Sequence, residues 1–267
     1  MNEESIFDFE HMLRWPFPYV SQSARLVGDY LISYGYVIKL LNLPAGSAIL
    51  EVGSGFGPLT MHLASMGYHI TCLDISQNLL TYVEKRAANL PVPIRTIRGD
   101  MSTVQIDDQF AAVVFYESFH HCLDHQLMLK RLPTLLKPNG VVLFAAEPIV
   151  PFGSRLVPYP WGLRLDGLSL WAIRRWGWLE LGFQEEYFRL LLSSHGWQVQ
   201  RHNLLGNGLT DVWLASQDGF AGRQSANGGS IETITALQHD LARLRDLVRR
   251  YEQGRFMRLM RWLRRGR

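Results

Sequence analysis

A chain of 267 residues, 47% of them hydrophobic, is long enough for one large core with appendages. The net charge of +3 is unevenly spread: residues 241–267 hold ten arginines against Asp246 and Glu252, a net of +8, so the rest of the chain carries 3 − 8 = −5. Basic character therefore belongs to the tail and not to the body, and the widely separated Cys72 and Cys122 argue against a disulfide framework or a cysteine zinc site.

The opening Met1-Asn-Glu-Glu-Ser-Ile is acidic and lacks the basic-then-apolar pattern of a secretory leader. No apolar run approaches the roughly 20 residues of a membrane span. The expectation is a cytoplasmic protein, at most peripheral on the inner face of a membrane. Prolines forbid a regular helix through Trp15-Pro-Phe-Pro-Tyr19. From Ser21 to about Leu41, apolar residues such as Leu26, Tyr30, Tyr34, Val37 and Leu41 recur at helical spacing, which Pro44-Ala-Gly46 interrupts.

Strand and helix patterns then alternate. Strands are predicted at Ala48–Val52, His69–Leu73, Ile94–Ile97, Ala111–Phe115 and Val141–Ala146, with helices at Leu59–Ser65, Asn78–Ala88 and Leu127–Leu136 between them. Two more strands, Gln198–His202 and Asp211–Ser216, follow a helix at about Gln184–Ser194. Buried runs separated by helices predict an α/β fold with a doubly wound, mostly parallel seven-stranded sheet, followed by a C-terminal helical extension. A hairpin-like return of the last two strands is compatible with their spacing but not fixed by it. Just after Pro148, residues 149–182 break the rhythm with three prolines (Pro151, Pro158, Pro160) and four tryptophans (Trp161, Trp171, Trp176, Trp178). The chain thus divides into an N-terminal helical cap (1–45), an α/β domain (46–216) with an insertion (149–182), a linker (217–230) and a basic helical tail (231–267).

The strongest local signal is Ile49-Leu-Glu51-Val-Gly53-Ser-Gly55-Phe-Gly57-Pro58, an apolar strand running into three alternating glycines. Glycine permits a tight turn and close approach of a ligand to the backbone. Pro58 suits the first turn of the next helix, whose free N–H groups favour a polar or anionic ligand. Asp74, 17 residues beyond Gly57, ends the next strand, where a carboxylate can accept both ribose hydroxyls. Gly99-Asp100-Met101 closes the third strand. All three positions fall at the carboxyl edge of the sheet, so together they point to a nucleoside ligand. A dinucleotide turn would place glycine at 58, where Pro58 stands, which disfavours a nicotinamide oxidoreductase.

The motif resembles the first motif of class I S-adenosylmethionine-dependent methyltransferases. The resemblance continues through Leu73-Asp74-Ile-Ser76, Arg98-Gly-Asp100 and Leu136-Lys-Pro-Asn-Gly140, covering about residues 46–147. Asn139 stands where the family usually has a glycine, and a turn that needs positive φ tolerates asparagine. The resemblance implies the Rossmann-like methyltransferase fold and S-adenosylmethionine as cofactor. It also implies that Glu51 and the Gly53–Gly57 turn line the methionine end, that Asp74 holds the ribose, that Asp100 and Met101 flank the adenine, and that Tyr116 and Glu117 border the sulfonium.

After the fourth strand, Ser118-Phe-His120-His121-Cys122-Leu-Asp124-His125 is the natural place for a base, because histidine titrates near neutrality. Its His-His-x-x-Asp spacing is similar to that of many small-molecule methyltransferases of this class. Adjacent histidines are expected to face opposite ways, so at most one enters the site; capping or packing under the next helix is the competing role. His120, His121, Asp124 and His125 are also ligand-rich, but no metal is assigned to them. Glu147 ends the fifth strand and would orient the acceptor or satisfy nearby backbone N–H groups. The aromatic insertion would cover this edge and stack on a substrate, or form a small core of its own.

In the tail, Ile234, Leu237, Leu241, Leu244, Val248 and Tyr251 follow alternating steps of three and four, about two and a half heptads suited to dimerisation or to docking on the domain. In residues 255–267 a helix would gather Phe256, Leu259, Met260 and Leu263 on one face and five arginines on the other. That pattern favours an anionic membrane surface over nucleic acid. The combined expectation is methylation of an acceptor oxygen on a sugar or lipid-linked glycan. N- or C-methylation of a small metabolite, and a non-catalytic nucleotide-binding scaffold, are the alternatives.

Overall fold

The computed structural model describes residues 7–219, 249–250 and 253–254. Helix α1 (Phe9–Arg14) is capped by Asp8, which accepts from the His11 N–H at 2.9 Å, and it stops at Trp15 before the prolines. Helix α2 (Ala24–Leu41) is capped by Ser23 and ends at Asn42, which takes a left-handed φ of 42°. These caps satisfy N–H and C=O groups that a helix leaves open at its ends.

The alternating region then runs β1 (Ala48–Val52), α3 (Pro58–Ser65), β2 (His69–Asp74), α4 (Gln77–Ala87), β3 (Arg95–Arg98), β4 (Phe110–Tyr116), α5 (His125–Leu135) and β5 (Leu136–Ala145). The insertion contributes β6 (Ile149–Val150), β7 (Trp161–Leu163), α6 (Leu168–Arg175) and β8 (Leu181–Gln184), and the chain closes the fold with α7 (Glu185–Ser194), β9 (Gln198–Asn203) and β10 (Asp211–Ser216). Strand β5 starts five residues before the predicted Val141. Leu136 already pairs with Phe110, and a register shift then lets Val141 pair with Ala112. The shift accommodates Asn139 at φ 60°, the positive backbone angle anticipated for the Lys-Pro-Asn-Gly turn.

Seven strands form one sheet in the order β3-β2-β1-β4-β5-β10-β9. The first five are mutually parallel, whereas β10 runs antiparallel to both β5 and β9, which fixes the return that spacing left open. Strand order reverses between β1 and β4, the switch point where open α/β sheets bind ligands. Successive strand residues face opposite layers. Leu50, Val52, Val113, Phe115, Val142 and Phe144 join Leu129, Leu132, Phe183 and Phe188 on one side. Ile49, Cys72, Ala112, Val114 and Leu143 join Tyr34, Val37, Leu63 and Val83 on the other. Helix α2 therefore belongs to the second core layer, with Val37 and Leu41 fully buried.

The insertion is not a loose lid. Its three strands form a second sheet, β6-β8-β7, and Phe183 and Leu181 carry it into the first core layer. Among the described residues no helix is long and apolar enough to cross a membrane. Most of the proposed linker (220–230), all six residues of the heptad seam and the basic helix at 255–267 lie outside the described residues.

Candidate active site

The glycine turn joins β1 to α3, and Pro58 is the first residue of that helix. Gly53, Gly55 and Gly57 all have positive φ, at 69°, 53° and 65°, but they differ in what surrounds them. A Cβ on Gly53 would sit 2.6 Å from Ser118 Cβ, and one on Gly57 would sit 2.8 Å from Val83 Cγ2. Protein packing thus requires both. A Cβ on Gly55 would meet nothing within 4 Å, so this residue borders open space.

Asp74, at the end of β2, holds the turn at this glycine. Its Oδ2 accepts from the Gly55 N–H at 2.9 Å, and its Oδ1 accepts from the Ser76 N–H at 2.9 Å. Beneath the turn, Glu51 is 2% exposed and accepts from the Thr60 hydroxyl. Burial pushes its carboxyl up to about 7; the Thr60 bond opposes the rise and the nearby Asp74 charge adds to it. The Gly99 N–H donates to the Asp74 carbonyl at 3.0 Å, which brings the β3 terminus alongside. There Asp100 Oδ1 accepts from the Ser102 N–H at 2.8 Å and from its hydroxyl, while Arg131 holds the Met101 carbonyl at 2.8 Å. The Asp100 carboxylate is thus turned into its own loop, on the strand end next to Asp74.

At the end of β4, Tyr116 directs its ring into the layer under α2. Its hydroxyl donates to Ser33 Oγ at 2.9 Å, and Ser33 donates onward to the Leu209 carbonyl. Glu117 adopts a left-handed φ of 49° and accepts a hydrogen bond from the Tyr30 hydroxyl. Burial raises its carboxyl to about 7, with Glu147 and Glu180 adding to the rise and His120 opposing it.

The next turn is clamped by one carboxylate. Glu147, 4% exposed, accepts from the N–H groups of Ser118 (2.9 Å), Phe119 (2.8 Å) and His120 (3.0 Å), and lies 2.7 Å from His120 Nδ1. Ser118 also ties the turn to β1 by donating to the Val52 carbonyl at 2.6 Å. Glu147 is therefore committed to the backbone and to His120, the second of the two roles that the sequence left open for it. His120 Nε2 lies 3.2 Å from Glu180 Oε2, so both ring nitrogens have carboxylate partners. Burial works against the imidazolium, but Glu147 and Glu180 together outweigh it and raise His120 well above the ordinary histidine value. With no free nitrogen, His120 is not the proton acceptor that its position suggested.

The two histidines also fail to diverge. Residues 119–121 form a single 3-10 turn, not an extended segment, and the rings lie 4.1 Å apart. His121 Nδ1 bonds to the Leu179 carbonyl, and burial followed by the neighbouring His120 charge lowers its pKa. One ligand-type atom from each of His120, His121 and Glu180 lies within 4.8 Å of the others. His125, by contrast, is buried against Trp161 and Tyr187, with Nε2 2.6 Å from the Tyr187 hydroxyl, so the ligand-rich run splits in two.

An aromatic roof connects these parts. Phe56, from the glycine turn, packs edge-on to Phe7 at 5.1 Å and against Phe17 at 5.6 Å. Phe7 stacks on Trp176 and Trp178 of the insertion, and Trp178 reaches His121 at 6.1 Å. Sequence reasoning missed Glu180, Tyr30 and the pairing of Phe7 with Phe56. Phe56 sat inside the quoted motif, but its partners come from segments far away in the chain.

Residues 50–144 match the family model of a methyltransferase domain. The chain belongs to the class I S-adenosylmethionine-dependent methyltransferase superfamily. An S-adenosyl-L-methionine-dependent Diels-Alderase from Neonectria sp. is 29% identical to this superfamily member over 136 residues, covering 51% of this chain and 50% of the relative. A glycine/sarcosine/dimethylglycine N-methyltransferase from Actinopolyspora halophila is 31% identical over 200 residues, 68% of this chain and 35% of that protein. The chain spans about half the length of the first of these curated relatives, and about a third of the second. Among solved structures, a glycopeptide N-methyltransferase complexed with sinefungin has a TM-score of 0.52 at 17% identity, covering 70% of this chain and 92% of the neighbour. That likeness shows the superfamily's Rossmann-like fold.

Proposed function

We propose that this chain transfers the methyl group of S-adenosylmethionine to an oxygen of a sugar or lipid-linked glycan at a membrane surface. The observation that carries the reading is the Asp74 carboxylate 2.9 Å from the Gly55 N–H, beside a glycine whose absent side chain leaves open space. A cradle of this kind fits a ribose at the switch point of the sheet. The residues present fit the donor: Glu51 and the 53–57 turn would hold its methionine end, Asp74 its ribose, and the Asp100-Met101 loop its adenine.

S-adenosylmethionine supplies a methyl group already activated on a sulfonium. What remains for the chain is to align the acceptor, exclude water and take a proton, and alignment alone is worth roughly 7–11 kcal/mol. Glu117 is the best-matched proton acceptor. Its carboxyl titrates at about 7, near the pH at which a general base works best. As the acceptor oxygen bonds to the methyl carbon, the S–C bond would break to release S-adenosylhomocysteine, and the O–H proton would pass to Glu117. The aromatic roof offers faces for a sugar ring, and Glu180 an acceptor for its hydroxyls. The basic, amphipathic composition of residues 255–267 supports work at an anionic lipid surface.

A second reading, N-methylation of an amine, is favoured by one observation. Glu117 and Glu180 both lie near His120, whose charge Glu147 already offsets, so a substrate ammonium reaching them would be attracted. Calorimetry of the full chain with S-adenosylhomocysteine tests the donor site: saturable binding is expected, weakened at least about tenfold by Asp74→Ala. No binding by the unaltered chain, or unchanged binding by Asp74→Ala, overturns the proposal. Methyl-labelled donor with glycan extracts or with amine-bearing extracts then separates the two acceptors.

A further inference from the structure

We infer that His120, His121 and Glu180 form a site for a first-row divalent metal ion at the acceptor side of the pocket. Each residue contributes one ligand-type atom, and these atoms lie within 4.8 Å of one another. Two imidazoles and one carboxylate, with further positions left open, are a donor set suited to Mn²⁺, Fe²⁺, Co²⁺ or Zn²⁺ and poorly suited to Mg²⁺ or Ca²⁺, which prefer oxygen ligands.

The surroundings carry the inference further than the triad alone. A ligating histidine usually donates its other ring N–H to a carboxylate or backbone carbonyl, which fixes the tautomer and aims the lone pair. Both histidines have that arrangement. His120 Nδ1 is held 2.7 Å from Glu147, a carboxylate itself fixed by three backbone N–H groups, and its Nε2 lies 3.2 Å from Glu180, so an entering ion would displace the proton shared by Nε2 and Glu180 and take both atoms as ligands. His121 Nδ1 is taken by the Leu179 carbonyl, one residue before Glu180, so its remaining lone pair is on Nε2. A clamp needed only for stability would be complete with His120 between Glu147 and Glu180. It would not require a second imidazole, its ring centre 4.1 Å away and tilted by 45°, with its Nδ1 anchored separately.

The use of the ion rests on the methyl-transfer reading. Bound there, it would polarise an acceptor hydroxyl, whose proton passes to Glu117 as the oxygen attacks the methyl carbon, and it would select oxygen acceptors that can coordinate. The existence of the site does not depend on that use, and the test is one of binding. Full-length protein, stripped with a chelator, is titrated with Co²⁺ while its visible absorption bands are followed, and with Zn²⁺ and Mg²⁺ by calorimetry. Saturable uptake of one equivalent of Co²⁺ or Zn²⁺, and none of Mg²⁺, is expected. His121→Ala and Glu180→Gln should abolish the saturable phase, and Glu147→Gln should weaken it by about 10–100-fold through the misplaced His120. Retained S-adenosylhomocysteine binding by His121→Ala and Glu180→Gln shows that they fold. Absence of stoichiometric uptake by the unaltered chain, or undiminished uptake by the His121→Ala/Glu180→Gln double variant, overturns the site. Donor binding without metal uptake sinks the metal alone; metal uptake without donor binding sinks the methyl-transfer reading alone.

Discussion

Replacing Glu51 with Gln keeps the shape of the side chain and an oxygen for the Thr60 hydroxyl, but removes the ability to ionise. In the folded chain burial raises the Glu51 carboxyl from its ordinary 4.5 to about 7. A folded pKa above the unfolded one means a stabilising contribution that is fully present below pH 4.5 and is lost as the pH rises through about 7. Each pKa unit corresponds to about 1.4 kcal/mol, so this gap makes the ionised Glu51 destabilising by about 3 kcal/mol above neutrality. Gln carries no such dependence. Glu51→Gln should therefore unfold at nearly the same urea concentration as the unaltered chain at pH 5, and be the more stable of the two at pH 8. The gain is at most about 3 kcal/mol, less roughly 1–3 kcal/mol if the new amide lacks a partner. Binding of S-adenosylhomocysteine should move the other way, because an uncharged side chain at the methionine end no longer attracts the donor's ammonium. Urea melts at the two pH values with calorimetry alongside give both readings. A stability difference that stays the same from pH 5 to pH 8 would refute the electrostatic argument, whatever its sign.

Three further substitutions probe the site's frame. Glu147→Ala leaves three backbone N–H groups and the Nδ1 of His120 unpartnered in the interior; removing one member of a buried pair costs about 3–5 kcal/mol, seen as a loss of roughly 10 °C in thermal melts. A loss below about 1 kcal/mol would mean that water replaces the carboxylate. Glu117→Gln should lower kcat by about 10²–10⁴-fold. In the unaltered chain activity should rise with pH through about 7, as Glu117 loses its proton, and the variant's residual rate should lack that rise. Gly53→Ala forces a side chain into a left-handed position and against Ser118 Cβ at 2.6 Å. A stability loss of about 2–4 kcal/mol with weaker donor binding is expected, whereas Gly55→Ala should disturb binding more than stability.

The turn to which the proposal assigns the donor was legible as a turn because its determinants are local. The glycine turn, Pro58 and Asp74 lie within one β-α-β unit, where chain order and spatial order agree. The strand pattern likewise gave all seven strands of the main sheet; the inner ones are apolar runs buried on both faces, whereas the edge strands Arg95–Arg98 and Gln198–Asn203 are partly exposed. The start of β5 was misplaced because a register shift at Phe110 leaves no mark in periodicity. The histidine pair was misread for a related reason. Opposed side chains follow from an extended backbone, and residues 119–121 instead coil into a turn imposed by Glu147, 27 residues further on from His120. Glu180 and Tyr30 were invisible because neither lies near the motif they join, and nothing in their own neighbourhood distinguishes them from solvated side chains.

The aromatic roof has a bearing on how specificity can be altered. Phe7, Phe17, Tyr30, Trp176, Trp178 and Glu180 all fall outside the stretch, 50–144, that kinship identifies. Inherited likeness consequently informs on the half of the pocket that holds the donor and is nearly silent on the other. Two peripheral segments, one ahead of the parallel strands and one inserted after the fifth, can diversify at positions other than Phe7 and Phe17, which pack on Phe56 of the turn that would anchor the nucleoside. Libraries randomised in those two segments, screened with donor binding as a constant, are the economical route to new acceptors on this scaffold.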